Sequence, residues 1–345
     1  MLTVRSDSNP IIKSEDVTPT HPELEVIGVF NAGVIRYNQE IILLLRVAER
    51  PISLSDHAYI SPIYDAEMNE LTFLSIPSQG APLEDARVIS TKDGNFLTSI
   101  SHFRVARSMD GIHFKVDELP AMSAATPYET YGIEDARITK IDDMYYIVYS
   151  AISNMGITAC LASTTDFVHY TRHGLIFHPD NKDVVIFPEK INGKYYALHR
   201  PTTSQFSTPQ IWIAQSSNLM EWGNHKLLLG TTKDTWEAGR IGASTVPVKV
   251  GEHWLEIYHA ADADNRYCLG ALLLNGEQPW IIEKKAELPI MEPMMPYELE
   301  GFFGNVVFSC GALCEDGKIK LYYGAADTTI CYAEIELSLI MDLLS

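Results

Sequence analysis

The stretch Asp143–Ala151, DMYYIVYSA, decides how the rest of this sequence is interpreted. It is rich in aromatic and β-branched residues and ends at small ones, which is the pattern of a β-strand. A turn, such a strand and a small or polar stop recur along the chain, with starts about 50 to 65 residues apart. The other copies are Gln39–Val47, Gly94–Ser101, Gly193–Arg200, Glu252–Ala260 and Gly317–Ala325.

Further strands follow these copies at hairpin spacing. The second strands are Ile157–Ser163, Gln210–Gln215, Tyr267–Leu274 and Ile330–Ile335. Several repeats then continue through an S-x-D-type turn, as in RSMDGIHF, STTDFVHY and SSNLMEW, into an outer strand. Three or four short strands per repeat, without a helical period, predict an all-β fold of the β-propeller type. A pair of irregular β-sandwiches is the alternative.

The chain is expected to form a single domain over residues 1–345. No linker rich in Pro, Gly or Ser and no low-complexity tract divides it. The one stretch with helical character is the tail, 336–345, which is too short to form a domain.

Composition excludes several classes of protein. Hydrophobic residues at 46% and charged residues at 21% indicate a globular chain. The net charge of −19 argues against nucleic acid or an anionic membrane as the main partner, so a pocket for an anion has to gather basic groups locally. No apolar run reaches the roughly 18 residues that a membrane helix needs, and no apolar leader begins the chain, so we expect a cytoplasmic protein.

Metal-binding and common catalytic motifs are absent from the sequence. The five cysteines, Cys160, Cys268, Cys310, Cys314 and Cys331, lack metal-type clustering and are expected to be buried or half-buried thiols. The sequence also lacks the signatures of P-loop nucleotide hydrolases, Rossmann dehydrogenases, zinc proteases and α/β-hydrolases.

The tetrapeptide E-D-A-R occurs twice, as Glu84–Arg87 and Glu134–Arg137, each time just before a repeat strand. Such acids and arginines can simply bridge neighbouring blades, and for Asp85 this interpretation is favoured. Asp135 is preceded by Tyr131-Gly132 and followed by an aromatic strand. A carboxyl among other acids and aromatics can have a raised pKa, which suits a general acid.

Basic and hydrogen-bonding groups stand at the ends of later repeat strands. They are His199-Arg200, Arg240 and Tyr258-His259. Strand ends at matching points of successive blades meet at one mouth of a propeller, so these groups are expected to converge. Because like charges repel, a bound anion would explain the cluster, and arginine binds phosphate oxygens in a bidentate manner.

Two Ala-Ala-Asp sequences also occupy matching positions, ending at Asp262 and Asp327. Aromatic residues lie nearby in the sequence, among them Phe302 and Phe303. Carboxylates beside exposed aromatic faces are suited to binding a sugar, although most of these aromatics are expected to form the core between blades.

These motifs together resemble glycoside hydrolase family 130. The resemblance runs from Phe30-Asn31-Ala32-Gly33 to Asp327 and includes GIEDARITKIDDMYYIVYSA, DVVIFPEKINGKYYALHRP, GRIGASTVPVKVGEHWLEIYHAAD and LYYGAAD. It implies a five-bladed β-propeller, with one of the first two strand copies lying in an insertion or outer strand of blade one (an extra segment near residues 52–95). The family contains inverting β-mannoside phosphorylases and some β-mannosidases. The opening segment is most similar to the branch that acts on β-1,2-mannobiose and β-1,2-oligomannans.

The resemblance also implies a mechanism. Asp135 would be the catalytic acid, protonating the leaving oxygen through a hydroxyl of the −1 mannose. Inorganic phosphate would attack the anomeric carbon as co-substrate and give α-mannose 1-phosphate, without a metal or other cofactor. An inverting hydrolase would instead need a second carboxylate about 6.5–9.5 Å away to activate water.

By the same resemblance, each site residue has an implied role. Phosphate would be held by Arg200, Arg240, Tyr258, His259 and Asn154. Ser153 stands where some relatives have arginine, which removes one positive charge. The sugar would be bound by Asn31, Arg46, Asp85, Asp262, Phe303 and Asp327. Lys190 would be either a neighbour of the phosphate or a surface residue, and the second interpretation is favoured.

Three hypotheses remain open at this point. The first is a β-mannoside phosphorylase, in which the basic strand ends hold phosphate. The second is a hydrolytic β-mannosidase, and the third is a propeller that binds sugar without catalysis. A homo-oligomer is compatible with all three.

Overall fold

The computed structural model of the protein describes residues 2–52, 58–78, 83, 85–92, 94–202 and 206–345. Pro82 and Glu84, which precede Asp85 in the sequence, lie outside these ranges. Five antiparallel sheets of four or five strands follow one another along the chain as the blades of a propeller. The prediction of an all-β five-bladed propeller is confirmed, and the alternative of paired sandwiches is wrong.

The first blade contains two additional hairpins. The N-terminal strand β1 (Thr3–Arg5) belongs to the last blade, and a 3-10 turn at Ser14–Asp16 follows it. Blade one comprises β2 (Leu24–Tyr37) and β3 (Glu40–Pro51), then the hairpins β4 (Ala58–Asp65) with β5 (Glu70–Pro77) and β6 (Val88–Thr91) with β7 (Gly94–Leu97), then β8 (Ile100–Ser108) and β9 (Lys115–Val116). The strand copy at Gly94–Ser101 is therefore the end of a hairpin and the beginning of β8, which explains six copies in five blades.

The remaining blades are compact. Blade two, after a 3-10 turn at Pro127–Glu129, comprises β10 (Ile133–Ile141), β11 (Met144–Ser153), β12 (Gly156–Thr164) and β13 (Thr171–Phe177). Blade three comprises β14 (Asn181–Ile186), β15 (Tyr195–Pro201), β16 (Ile211–Ser216) and β17 (Trp222–Leu229). Blade four comprises β18 (Arg240–Ala243), β19 (Val248–Val250), β20 (His253–Ala261), β21 (Tyr267–Asn275) and β22 (Ile282–Lys285). Blade five, after the short helix α1 (Pro296–Leu299), comprises β23 (Val307–Glu315), β24 (Lys318–Ala325) and β25 (Thr329–Glu336), and helix α2 (Leu337–Leu343) ends the chain.

The hydrophobic core lies between the blades. A separate apolar cluster fills each of the five blade interfaces. Middle strands such as β11 are buried on both faces and are almost continuously apolar, whereas the outer strand β17 is largely exposed. The aromatic, β-branched stretch from which the fold was predicted is therefore a middle strand.

A buried Tyr–Glu–cation group recurs in three blades. In each one a tyrosine hydroxyl from the second strand donates to a glutamate in the connector before the blade, and a cation from the outer strand pairs with the same glutamate. The groups are Tyr149–Glu129–Arg172, Tyr258–Glu237–Lys285 and Tyr323–Glu298–Arg5. Each group fixes the connector that leads from one blade to the next.

The exposure of the cysteines and the character of the helices complete the description of the fold. Cys314 is exposed and the other four cysteines are buried. None of the helices in the described ranges combines the length and the apolar character that crossing a membrane would require.

The ring is closed by the N-terminal strand. Residues 3–5 of β1 pair with residues 333–335 of β25, so the first strand completes the last blade. Arg5 Nε and Nη2 donate to Glu298 at 2.7 and 3.0 Å, and the Thr3 hydroxyl donates to the carbonyl of Ile290 at 2.6 Å.

We expect Arg5→Ala to lower the free energy of unfolding by about 3 kcal/mol, because it leaves the fully buried Glu298 without its cation. Arg36→Ala is the matched control, since Arg36 makes the same bidentate contact with Glu315 at the surface, where such pairs contribute about 0–1 kcal/mol. Denaturant unfolding of both variants measures the difference. Equal losses would contradict the assigned role of Arg5 in closing the ring.

Candidate active site

Three inner strands carry an irregularity at the same point. The register shifts between Phe30 and Gly33 in β2, between Glu134 and Arg137 in β10, and between Lys182 and Val185 in β14. Within these bulges Asn31, Asp135 and Asp183 adopt left-handed backbone conformations, with φ of 49°, 53° and 53°. Asn and Asp tolerate this conformation better than other non-glycine residues, and a bulge redirects a side chain. All three side chains line one cavity.

This cavity lies at the mouth of the propeller and has a volume of about 270 Å³. Small-molecule sites typically measure about 300–1,000 Å³, so it suits a small ligand. Its walls combine carboxylates, cations and aromatic rings. The polar lining residues are Asn31, Arg46, Arg87, Ser99, Glu134, Asp135, Lys182, Asp183, Arg200, Tyr267 and Asp327, and the aromatic ones include Phe30, Phe302, Phe303 and Phe308.

Asp135 is a buried carboxylate held by two donors. Its Oδ1 accepts from Asn31 Nδ2 at 3.0 Å and from Arg46 Nη1 at 3.0 Å. Burial by itself favours the neutral acid, but the positive charge of Arg46, followed by that of Lys182, holds the pKa of Asp135 below its usual value. The expectation of a raised pKa is therefore wrong, because arginine rather than aromatic surface is the nearest neighbour of this carboxyl.

Arg46 connects the acidic groups of the cavity. Its Nη2 donates to Glu134 at 2.7 Å and its Nε to the hydroxyl of Ser101 at 3.1 Å. The guanidinium carbon lies 4.6 Å from the centre of the Phe30 ring. These contacts fix the guanidinium plane beside Asp135.

The pKa of Asp327 is shifted in the opposite direction from that of Asp135. Burial raises its pKa to about 6, and repulsion by Asp135 and Glu134 adds to this effect, against the attraction of Arg46 and Arg87. Asp327 stands in the turn between β24 and β25 with φ of 50°. Asp135 thus ionises readily, whereas Asp327 in the same cavity retains its proton up to about pH 6.

A second charged group occupies the blade-three side of the cavity. The carboxylate of Asp183 lies 3.1 Å from Arg137 Nη2, 2.9 Å from Arg200 Nη1 and 3.3 Å from His259 Nε2. The positive charges of Arg200 and Arg137 hold the pKa of Asp183 well below its usual value despite burial. Among the residues that the structure describes, none forms a hydrogen bond with the buried Nε of Arg200. This donor and the ammonium of Lys182 are available to an anion.

His259 lies beneath the cavity as a neutral imidazole. Burial lowers its pKa to about 4, and the nearby Arg200 acts in the same direction. Arg200 Nη1 lies 3.0 Å from His259 Nε2, and the hydroxyl of Ser244 lies 3.1 Å from Nδ1. His259 therefore supports Arg200 from below, and it is not among the residues that line the cavity.

Several residues predicted for the site lie elsewhere. Tyr258 is fully buried and donates to Glu237, as one of the repeated Tyr–Glu–cation groups. Arg240 donates to the hydroxyl of Tyr267 at 3.1 Å and to Asn265 at 2.6 Å, beside the cavity. Neither residue belongs to the cavity lining.

Two further predicted residues, Asn154 and Asp262, occupy loops. Asn154 is exposed in the turn between β11 and β12, where the hydroxyl of Ser153 accepts from the backbone of Met155. Asp262 accepts from backbone amides of its own loop, at Asp264 and Arg266. None of these side chains lines the cavity.

Asp85 pairs with a residue of its own loop. Its carboxylate accepts from Arg87 at 2.8 and 3.0 Å, so it does not bridge two blades as the sequence analysis favoured. Arg87, not Asp85, lines the cavity. Lys190 lies 4.8 Å from the ring of Tyr195 and outside the cavity lining.

Sequence reasoning missed Lys182, Asp183, Arg87 and Tyr267. The first two could have been found, because N-K-D-V-V begins blade three at the point where G-I-E-D-A-R begins blade two. Arg87 and Tyr267 had no comparable signal, since their positions depend on how loops fold over the mouth.

The pKa of Asp327 leads to a test of stability against pH. A folded-state pKa above the usual 3.8 means that the wild-type protein loses stability as pH rises from about 4 to about 6, because the buried carboxyl must ionise. Asp327→Asn removes this loss, so its thermal midpoint relative to wild type should increase across that interval and level off above it. Asp316→Asn, at a side chain that is 84% exposed and also has positive φ, is the control. A difference independent of pH would contradict the raised pKa.

Comparisons with known proteins agree with this architecture. A β-1,2-mannobiose phosphorylase from Listeria innocua is 46% identical over 347 residues, covering 99% of this chain and 98% of the relative. A 1,2-β-oligomannan phosphorylase from Thermoanaerobacter is 43% identical over 241 residues, covering 69% of this chain and 79% of the relative. The solved structure of the Listeria innocua enzyme with β-1,2-mannobiose superposes with a TM-score of 0.97 at 45% identity, covering 100% of this chain and 99% of that one.

A family model covers most of the chain as well. The model for glycoside hydrolase family 130, described as β-1,4-mannooligosaccharide phosphorylase, matches residues 86–345. The bulged inner strands that carry Asp135 and Asp183 lie within this span. Most of the residues that line the cavity lie within it as well. On this match and on the identity to the two relatives, the chain belongs to glycoside hydrolase family 130.

Proposed function

We propose that this protein catalyses the inverting phosphorolysis of β-1,2-mannobiose or short β-1,2-oligomannans, giving α-mannose 1-phosphate and mannose or a shortened chain. The observation that carries the proposal is one cavity with Asp135 on one side and, on another, the ammonium of Lys182 and the Nε of Arg200, which has no hydrogen-bond partner among the described residues. The substrates named for the Listeria innocua and Thermoanaerobacter relatives support the choice of sugar.

The cation side of the cavity suits phosphate. Arg200 and Lys182 line this side and Arg137 lies beside Asp183, so three positive charges face the two carboxylates of Asp183 and Asp135, while His259 is neutral. This local excess of positive charge stands in a protein of net charge −19. A bound phosphate would take the donors that the protein leaves unpaired, and guanidinium groups match phosphate geometry.

The acid side suits a mannosyl unit. Asn31, Arg46 and Asp327 surround Asp135 and present amide, guanidinium and carboxyl groups to sugar hydroxyls. In the proposed step the glycosidic C1–O bond breaks and a C1–O bond to phosphate forms on the opposite face. The proton of Asp135 passes through a sugar hydroxyl to the leaving oxygen. Inorganic phosphate is the co-substrate, and this route requires no metal.

Phosphate binding would also prepare Asp135 to act as an acid. The charge of Lys182, after that of Arg46, contributes to the lowered pKa of Asp135. A dianion bound at Lys182 offsets this charge and repels the ionised carboxylate, so the pKa of Asp135 rises. Protonation of the acid is thereby coupled to arrival of the nucleophile.

Hydrolysis is the second candidate, and the environment of Asp183 disfavours it. An inverting hydrolase needs a carboxylate free to take a proton from water. Asp183 is held by Arg137 and Arg200, and its pKa lies well below the usual value, so it is a poor general base. A cytoplasmic location and a homo-oligomeric state remain predictions from the sequence.

Product analysis with β-1,2-mannobiose, with and without inorganic phosphate, tests the reaction type. We expect α-mannose 1-phosphate and mannose only when phosphate is present, because the cation side of the cavity supplies the nucleophile. NMR detection of the anomeric configuration checks inversion. Free mannose at equal rates in both samples would identify a hydrolase, and the proposal of phosphorolysis would be rejected.

Asp135→Asn tests the assigned acid. Loss of general acid catalysis should lower kcat about 10²–10⁴-fold, while the amide retains the hydrogen bond geometry beside Arg46. Asp316→Asn is the matched control, because it makes the same substitution at a surface position with the same backbone conformation. An unchanged rate of mannose 1-phosphate release in Asp135→Asn would exclude the assigned role and favour a propeller that binds sugar by other means.

A further inference from the structure

The cation side of the cavity contains a buried acceptor and a buried donor that the described residues leave unpaired. Among those residues, six buried side-chain nitrogen or oxygen atoms form no hydrogen bond, and three of them belong to residues that line the cavity. Asn31 Oδ1 is on the acid side, whereas Asp183 Oδ2 and Arg200 Nε are on the cation side. Because an unpaired buried polar atom is costly, such a pair indicates a ligand that supplies the missing partners.

The two carboxylate oxygens of Asp183 have different surroundings. Oδ1 accepts from Arg137 Nη2 at 3.1 Å, which fixes the orientation of the carboxylate. Oδ2 lies 2.9 Å from Arg200 Nη1 and 3.3 Å from His259 Nε2, but none of the described residues donates a hydrogen bond to it. Asp183 Oδ2 therefore has positive charge beside it and still lacks a donor from the described part of the chain.

The tautomer of His259 explains why Asp183 Oδ2 receives no hydrogen. Arg200 Nη1 forms a hydrogen bond with His259 Nε2 at 3.0 Å. A guanidinium group can only donate, so Nε2 is the acceptor. Burial lowers the pKa of His259 to about 4, so near neutral pH the imidazole carries a single proton. This proton has to be on Nδ1, which lies 3.1 Å from the hydroxyl of Ser244, and His259 therefore donates nothing to Asp183.

Arg200 supplies the complementary group. Its Nη1 is engaged by His259, whereas its Nε carries a hydrogen for which the described residues provide no acceptor. This donor is close to Asp183 Oδ2, since another nitrogen of the same guanidinium lies 2.9 Å from that oxygen. A ligand that satisfies both groups has to accept a hydrogen bond at one atom and donate one at another.

Inorganic phosphate meets this requirement and sulfate does not. Phosphate retains at least one proton near neutral pH, so it has a hydroxyl that donates and other oxygens that accept. Sulfate is fully ionised and can only accept. An oxygen of sulfate beside Asp183 would face a carboxylate oxygen with no hydrogen between them, and such repulsion is a common means of rejecting the wrong ligand.

We propose that Asp183 Oδ2 accepts a hydrogen bond from the hydroxyl of bound inorganic phosphate, and that this contact selects phosphate or arsenate over fully ionised anions of the same shape, such as sulfate and selenate. The inference rests on the proposed phosphorolysis and deepens it by naming the form in which the nucleophile binds. Asp183 accepts this hydrogen bond without taking the proton, because Arg200 and Arg137 hold its pKa well below the usual value. The unprotonated phosphate oxygens remain for Arg200, for Lys182 and for attack on the anomeric carbon.

Competition between anions tests the proposal in the wild-type enzyme. The rate of α-mannose 1-phosphate formation from β-1,2-mannobiose is measured against phosphate concentration, with sulfate or selenate added at an ionic strength held constant with sodium chloride. We expect inhibition constants for both anions at least about thirtyfold above the KM for phosphate, because neither can donate to Asp183. Arsenate is similar in size to selenate but carries a proton. It should replace phosphate and release two mannose molecules per turnover, because its sugar ester hydrolyses in water.

Asp183→Asn should weaken this selectivity. Arg137 Nη2 needs an acceptor, so the amide oxygen should take the place of Oδ1 and the amide nitrogen that of Oδ2. This nitrogen donates to any anion, so the ratio of the sulfate inhibition constant to the phosphate KM should fall at least about tenfold. Asp316→Asn makes the same substitution at an exposed position with the same backbone conformation and should leave the ratio unchanged.

Arg200→Lys separates the effect of Asp183 from that of positive charge. This variant keeps the charge but removes the Nε donor, which serves phosphate and sulfate alike. The KM for phosphate and the inhibition constant for sulfate should therefore both increase, and their ratio should change by less than about threefold. Thermal unfolding checks that the three variants are folded. Should Asp183→Asn fail to fold, the anion series in the wild type decides alone.

The outcomes separate this inference from the proposed function. Phosphorolysis that sulfate and selenate inhibit at concentrations near the KM for phosphate, or in which arsenate does not replace phosphate, would overturn the inference and leave the function standing. A ratio that is unchanged in folded Asp183→Asn, or that shifts as far in Arg200→Lys, would overturn it as well. Absence of phosphate-dependent turnover by the wild type would reject the function itself.

Discussion

The buried guanidinium of Arg137 is the group on which the rest of this structure depends. It is 1% exposed and lies at the propeller axis, where it donates to the carbonyl of Asp135 at 2.9 Å and to Asp183 at 3.1 Å. It also contacts the carbonyls of Ala243 and Ser244 in blade four at 3.3 and 3.4 Å. A charge removed from water is tolerated only when its donors are satisfied, so three blades have to place acceptors around one point. The same bulges that provide those acceptors aim Asp135 and Asp183 at the cavity.

This arrangement divides the cavity electrostatically. Around Arg46, carboxyl groups outnumber cations, and Asp327 responds with a raised pKa. Around Asp183, cations outnumber carboxylates, and the donors of Arg200 and Lys182 are left for a ligand. A neutral sugar with many hydroxyls needs different surroundings from those that an anion needs. The two halves of the cavity supply them within one pocket.

The sequence predicted the propeller well because each blade repeats one physical requirement. Middle strands are buried on both faces, so they stand out as apolar stretches such as Asp143–Ala151, and their spacing reveals the blades. Asp135 was found because E-D-A-R recurs, although the first copy is only a loop ion pair, Asp85 with Arg87. Prediction from the sequence alone was least informative where contacts between blades decide which side chains reach the cavity and how their pKa values shift.

Tyr258 and His259 illustrate this limit. They are adjacent in β20, and successive side chains of a strand point to opposite faces, so one anion does not contact both directly. His259 supports Arg200, whereas Tyr258 belongs to a Tyr–Glu–cation group whose glutamate lies more than twenty residues away in the chain. The lowered pKa of Asp135 has the same origin, since Arg46 reaches it from another blade. Neither the contact of Tyr258 with Glu237 nor that of Arg46 with Asp135 can be deduced from local sequence.

The pairing of β1 with β25 has a consequence for how the enzyme is assembled. Blades two to four consist of strands that are close in the chain and can form as soon as each hairpin is available, whereas blade one also has to pair β3 with β8 across the inserted hairpins. The fifth has to wait, because its outer strand is made of residues 3–5 and its neighbour of residues 333–335. Contacts so distant in sequence are slow to form. Asp327 belongs to this last blade, so the cavity is complete only once blade five, made of the last strands of the chain, has packed against blade one, made of some of the first.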